Sequence, residues 1–258
     1  MFAHNLSIHL VRALSRPRVS AGVLATAVLF SAGCSDVTAP GSSAPSRAPS
    51  SIGASAASNF LVLANATVTC TGGTISGDVG TFFGTPTGSV VQTSCPITGT
   101  VAVGGGNAEQ AFNSFLDEYA ALAPKAGDVC TTLTGTLGGV ILSPGNYCFD
   151  AAATLTSVLT LDGPADGVWT FRIGTSGTGA LTGTNFSVAM AGGAQACNVT
   201  WWVADAATMT TSGFQGNILA GAGITFTGGT FNGRAWSKAD ATITGTAVAA
   251  CGNHSSST

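Results

Sequence analysis

Between Ala207 and Val248 one pattern is written almost three times, and few folds accommodate that. Thr208-Met209-Thr210 returns as Thr225-Phe226-Thr227 and again as Thr242-Ile243-Thr244, a step of 17 residues each time. Phe214, Phe231 and Val248 keep the step, as do Gly216 with Gly233 and Leu219 with Trp236. A fixed period carried by short strand-like pieces marks a β-solenoid. Side chains alternate between the two faces of an extended chain, so Met209, Phe226 and Ile243 are expected inside and their flanking threonines outside. Phe214/Phe231/Val248 and Leu219/Trp236 read as two further inward columns. Three inward columns imply three short sides per turn, with Gly216 and Gly233 at bends. Coils stack about 4.7–4.9 Å apart, so the outward threonines should form straight files on a nearly flat face.

Composition narrows what such a surface can do. Charged residues make up 7% of the chain and the net charge is −3. A charge-rich disordered chain is excluded, and there is no basic footprint for nucleic acid. The net charge is too small to steer a charged partner.

The beginning of the chain reads as an export signal over residues 1–33. Arg12, Arg16 and Arg18 precede an uncharged run from Val19 to Gly33, too short for a membrane span. The run ends in Ser31-Ala32-Gly33-Cys34, which resembles the lipobox of bacterial lipoproteins. Cys34 would then carry the lipid; Ser31 stands where that motif usually has Leu, so cleavage without lipidation is the alternative. In that class, Ser35 after the cysteine favours the outer membrane. The expected location is an outer-membrane or cell-surface lipoprotein, otherwise a secreted protein. Residues 34–58 are Ser, Ala and Pro with little else and read as a flexible tether. Residues 59–251 should fold as one domain, and 252–258 as a disordered tail.

Setting Cys34 aside leaves Cys70, Cys95, Cys130, Cys148, Cys197 and Cys251. An even set in an exported domain implies disulfides. Six cysteines permit fifteen pairings; the one favoured is 70–95, 130–148 and 197–251. No C-x-x-C occurs, and His4, His9 and His254 all lie outside the folded part, so zinc has no support.

One segment breaks the β pattern. From Asn107 to Ala123, apolar residues at Ala108, Ala111, Phe112, Phe115, Leu116, Tyr119 and Leu122 follow the spacing of an amphipathic helix. Asn107 is the expected N-cap, Glu109 sits in the first turn, and Pro124 stops the helix. Its apolar stripe must be buried, and the flank of the solenoid is the place for it.

Several ordered motifs carry a resemblance. Gly77-Asp78-Val79-Gly80 precedes the helix. Leu137-Gly138-Gly139-Val140 and Ser143-Pro144-Gly145-Asn146-Tyr147 follow it, then Trp169-Thr170-Phe171-Arg172-Ile173-Gly174. Gly216-Asn217-Ile218-Leu219-Ala220 and Asn232-Gly233-Arg234-Ala235 complete the order. From about Asn59 to Ala249 the chain resembles the microbial ice-binding protein family. The resemblance implies a mainly β fold: a discontinuous right-handed triangular β-helix with one long α-helix packed alongside. It implies adsorption to ice through one flat face, without a cofactor. That face often carries a loose Thr-Ala/Gly-X-Thr/Asn motif, matched here by Thr71-Gly72-Gly73-Thr74, Thr182-Gly183-Thr184-Asn185 and Thr227-Gly228-Gly229-Thr230, and in part by Thr244-Gly245-Thr246. The candidate ice-binding residues are therefore Thr71, Thr74, Thr182, Thr184, Asn185, Thr210, Thr227, Thr230, Thr244 and Thr246. The chain departs from the family in having Thr85-Pro86-Thr87-Gly88 where a Pro-Pro-Gly loop is common.

Two other readings compete. A surface adhesin on the same scaffold would bind glycan by stacking it on exposed aromatics, for which Trp201, Trp202 and Trp236 are candidates. A polysaccharide-degrading enzyme would need clustered carboxylates with Arg or Lys, and Asp162, Asp166, Arg172 and Arg234 are the residues on offer. Turn formation and capping explain those four better than catalysis does. Without a core histidine, His-based nucleophile triads are excluded. The expectation is a non-enzymatic monomer whose partner is the ice surface, meeting a membrane only through its lipid.

Overall fold

The computed structural model describes residues 59–252. The expected signal segment, Cys34, the tether and the tail beyond Gly252 lie outside the described residues.

In chain order the elements are β1 (Phe60–Ala64), β2 (Thr67–Thr71), β3 (Thr74–Ser76), β4 (Asp78–Thr81), β5 (Ser89–Thr93), β6 (Val101–Val103), α1 (Gly106–Leu122), β7 (Thr131–Thr132), β8 (Ile141–Leu142) and β9 (Gly145–Phe149). The second half comprises β10 (Ala153–Asp162), β11 (Trp169–Ile173), β12 (Leu181–Ala191), β13 (Val199–Val203), β14 (Ala207–Gln215), β15 (Asn217–Ala220), β16 (Ile224–Asn232), β17 (Ala235–Ser237), β18 (Ala241–Thr244) and β19 (Ala247–Ala249). All the pairings between these strands are parallel. The chain winds as a three-sided β-helix.

Each side follows from its residues. In β16, Ile224, Phe226 and Phe231 are buried while Thr225 and Thr227 point out, the alternation of a half-buried strand. Halfway along, Gly228 and Gly229 take positive φ and turn the strand through a corner, so one bent sheet supplies two sides of the prism. Thr225 and Thr227 lie on the first, the threonine side; Thr230 and Asn232 lie on the second, the third side. Gly216 and Gly233 then turn the chain onto a nine-stranded sheet, the helix side. A Cβ on Gly233 would sit 1.9 Å from the Gly216 carbonyl oxygen, so this bend excludes any side chain.

The helix side corrects one reading of the repeat. Leu219 and Trp236 do not point into the solenoid; they point outward and pack under α1 with Phe60, Leu63 and Trp202. Their neighbours Ile218 and Ala235 fill the interior instead. Where both faces of this sheet are covered, as at β1, β13, β15 and β17, every strand residue is buried, as in Phe60-Leu61-Val62-Leu63-Ala64, and periodicity alone does not assign the faces.

The helix begins at Gly106 with Gly105 as N-cap, not Asn107. Glu109 accepts a hydrogen bond from the Gly105 N–H and occupies the capping role from within the first turn. Ala123 is extended ahead of Pro124, which ends the helix. Ala108, Ala111, Phe112, Phe115 and Tyr119 are buried, as their spacing requires. Trp202 Nε1 donates to Tyr119 O at 2.9 Å, and Tyr119 Oη donates to Val203 O at 3.0 Å.

The winding is discontinuous. The helix side runs β6-β4-β1-β17-β15-β13-β11-β9-β7, so the first coils of the chain stack on its last. Nine strands at about 4.8 Å separate β6 from β7 by roughly 38 Å. The 17-residue helix, at 1.5 Å per residue, covers about 25 Å of that return. The rest falls to residues 123–130, tied down by Cys130–Cys148. Cys70–Cys95 closes the opposite end and Cys197–Cys251 pins the last residues. These are the pairings expected from the sequence.

Candidate functional site

The threonine side is built by register. Paired across successive strands, Thr69, Thr242, Thr225, Thr208, Thr182 and Thr154 form one file. Thr93, Thr71, Thr244, Thr227, Thr210 and Thr184 form a second. Val91 continues the first file at the β5 end. Neighbours within a file are spaced by the strand separation, about 4.8 Å, and the files lie roughly 6.7 Å apart, two residues along a strand. Between them the inward residues Cys70, Ile243, Phe226, Met209 and Leu155 are buried and hold the floor in place. Gly183 is the exception in this column, because Met209 Sδ would lie 2.5 Å from a Cβ there.

Three properties distinguish this side. The strand residues that form it carry no charge. No side-chain hydrogen bond to protein engages any of the twelve threonine hydroxyls among the described residues, whereas the hydroxyls of Thr81, Ser212 and Thr246 all donate to carbonyls. Finally, α1 packs on the opposite sheet and leaves this side open. A β-branched threonine is stiff at χ1, so each hydroxyl and methyl is held in a fixed place. The result is a flat, uncharged array of hydroxyls free to bond water, interleaved with methyls that limit other hydration.

The residues singled out by sequence fall in four places. Thr71, Thr182, Thr184, Thr210, Thr227 and Thr244 stand in the two files. Asn185 sits on the corner with φ of 48°. Thr74 and Thr230 are exposed beyond the corner, on the third side, in one file with Ala247 and Gly213. Thr246 is buried, and its hydroxyl bonds Gly228 O and Thr244 O within the corner, so it presents nothing to the outside. In Thr71–Thr74 and Thr227–Thr230 the motif thus spans a bend, with its first threonine on one side and its fourth on the next, whereas Thr182–Asn185 ends on the corner. Thr208, Thr225 and Thr242, outward-facing by the repeat, stand in the first file with Thr69 and Thr154, and Thr93 stands in the second; none of these six is among the motif's candidates. Repeated Thr-x-Thr pairs, as in Thr67-Val68-Thr69-Cys70-Thr71, were the signal for most of them.

The competing sites do not assemble. Trp201, Trp202 and Trp236 are all buried: Trp201 stacks inside on Phe171 with centroids 3.9 Å apart, and the other two lie under the helix. They offer no platform for a sugar. Arg172 donates from Nε to Leu122 O and faces Asp128 at 3.9 Å, while Arg234 lies over the Trp236 ring beside α1. Asp162 and Asp166 flank the turn at the other end of β11 from Arg172. Burial raises the Glu118 carboxyl above its ordinary pKa, against the opposing pull of Arg234, and lowers Arg234. Burial, with a smaller push from Asp205, raises the Tyr119 phenol to about 12. Of these groups Tyr119 holds the helix to its sheet, and Arg234 lines a hollow of about 170 Å³ that has no carboxylate side chain in its lining. A hollow of about 460 Å³ between Thr132–Thr136 and Phe149–Thr154 has Asp150 as the one ionisable group lining it. Among the described residues, no three His, Cys, Asp or Glu side chains converge as a metal requires.

Comparison with known proteins agrees with this architecture. The pattern of the ice-binding-like family matches residues 62–249. An ice-binding protein of Nostoc sp. is 37% identical over 179 residues, which cover 67% of this chain and 63% of that one, so the chain spans a little under two thirds of that relative. One from Flavobacterium frigoris is 32% identical, with 72% of each chain covered. The crystal structure of an ice-binding protein from the Antarctic ascomycete Antarctomyces psychrotrophicus superposes with a TM-score of 0.68 at 33% identity, covering 77% of this chain and 97% of the other. With its β-helix, flanking helix and family pattern over most of its length, the chain belongs to the ice-binding-like family.

Proposed function

We propose that the protein adsorbs to ice through the threonine side and opposes growth or recrystallisation of the crystal, or holds a cell against it. One observation carries this reading: two files of six threonines, rigid, uncharged and with hydroxyls unused by the protein. Ice is a fixed array of donors and acceptors, so its ligand gains from a surface already ordered. Each hydroxyl contributes little, and affinity comes from many acting together with almost no ordering cost. An adsorbed molecule curves the ice front between its neighbours and so opposes further growth. The action is non-enzymatic and uses no cofactor.

The purified protein should shape ice crystals, show thermal hysteresis and partition into a slowly growing ice hemisphere. Round crystals, zero hysteresis and exclusion from the hemisphere would overturn the proposal. The protein acts as a monomer, because a flat crystal is met by one face of one molecule; sedimentation of the soluble form tests this. It is exported and held at the cell surface by lipid on Cys34, as the Ser31-Ala32-Gly33-Cys34 motif supports. Replacing Cys34 with Ala should release it from the membrane fraction, and retention there would refute the anchor.

A further inference from the structure

The corner between the threonine side and the third side divides into two kinds. Residues that turn there take positive φ: Ser94, Gly72, Gly245, Gly228, Thr211, Asn185 and Ser157 in successive coils. Glycine holds this conformation without strain, and three adjacent coils use it. Room is not the reason. A Cβ on Gly72 would touch nothing, one on Gly245 would come no closer than 4.0 Å to an atom, and one on Gly228 no closer than 3.9 Å.

The next three coils put side chains into the same conformation. Asparagine tolerates it, but for the β-branched Thr211, at φ of 51°, it is a strained state. All three side chains are exposed. None of them hydrogen-bonds to protein among the described residues, while Ser212, next to Thr211, spends its hydroxyl on Thr210 O and on Phe186 N–H. The strain therefore serves no contact inside the molecule. What it achieves is placement: Thr211 stands beside Thr210 and Asn185 beside Thr184, at the free margin of the second file.

Resting on the proposed ice adsorption, we infer that Thr211, with Asn185, forms a third rank of ice-contacting groups, so that the contact is three ranks wide over β14 and β12 and two wide over β16, β18 and β2. Thr211 is a specificity-determining residue whose side chain is retained at the expense of a relaxed corner.

The test separates stability from adsorption. Thr211→Gly should raise Tm by about 2 °C in a domain of this size, while thermal hysteresis at equal concentration falls by about half. Thr211→Asn, which restores a polar side chain in a tolerated conformation, should keep most of the parent's hysteresis. Hysteresis of Thr211→Gly equal to the parent's overturns the third rank, and so does a fall in Tm accompanying any loss. If the parent itself shows no hysteresis, the proposed function fails and this inference with it. If the parent is active and only the Thr211→Gly result is null, the inference alone fails.

Discussion

Thr227→Tyr should abolish most ice adsorption without weakening the fold. Thr227 is exposed and stands in the interior of the second file, with Thr244 and Thr210 as its neighbours. Coils lie about 4.8 Å apart, so a ring there stands above both neighbours. A rigid crystal face cannot bend around it; it rests on the ring and on one end of the files, losing roughly half of the threonine contacts. At about 0.5 kcal/mol for each of six lost contacts, the low end of a net hydrogen bond, adsorption weakens by about 3 kcal/mol. That is about two orders of magnitude in the binding constant. Because Thr227 points away from the core, stability should change by no more than about 0.5 kcal/mol, or roughly 1–2 °C in Tm. Thr230→Tyr is the matched control, with the same substitution three residues on but round the Gly228–Gly229 bend. Thermal hysteresis and partition into an ice hemisphere should collapse for Thr227→Tyr and stay near parental for Thr230→Tyr. Equal activity of Thr227→Tyr and parent, or a larger loss from Thr230→Tyr, would refute the assignment of the face.

Other outcomes follow from the scaffold. Gly233→Ala drives a Cβ to within 1.9 Å of Gly216 O and should destabilise by roughly 2–4 kcal/mol, read as a Tm lowered by about 5 °C or more. Phe226→Ala, stacked on Phe231 with centroids 4.5 Å apart, should cost about 3–5 kcal/mol in chemical denaturation. Since the Tyr119 phenol titrates near 12 folded and nearer 10 unfolded, its contribution to stability is whole below pH 10 and drains away as pH rises through 12. Tyr119→Phe should flatten that part of the Tm–pH curve. Serine at both Cys130 and Cys148 opens a bridge between residues 18 apart and should cost about 3 kcal/mol.

What the sequence disclosed was whatever the repeat repeats. The columns through Met209 and Phe214, the bends at Gly216 and Gly233 and the helix stripe are all local, period-bound features, and they stand as read. Leu219 and Trp236 read as inward from the repeat but face outward under α1, because a strand covered on both faces carries no alternation to read. The motif residues were scattered over a bend for a different reason. Thr227 and Thr230 are three apart in sequence, and only the positive φ of Gly228 and Gly229 shows that a corner separates them. Thr246 looks like its neighbours in sequence, yet a hydroxyl able to reach Gly228 O on the next coil is turned inward.

The longest-range feature was beyond the period altogether, and the threonine files depend on it. Thr242 pairs with Thr69, and Thr244 with Thr71, across 173 residues of chain. No repeat length connects those positions; what joins them is the return of α1 from one end of the stack to the other. Trp236 fixes the seam by donating from Nε1 to Phe60 O at 2.9 Å, beneath the helix that makes the return possible. The seam carries both files on from β18 into β2, and the second on to Thr93. Loosening it at a distance should therefore cost adsorption as well as stability. Trp236→Phe keeps an apolar ring under α1 but removes the donor. If the files act as one rigid array, its thermal hysteresis should fall even at temperatures where circular dichroism shows the fold intact. Full hysteresis from a folded Trp236→Phe would mean that each half of the face works alone, and that continuity across the seam contributes nothing to holding ice.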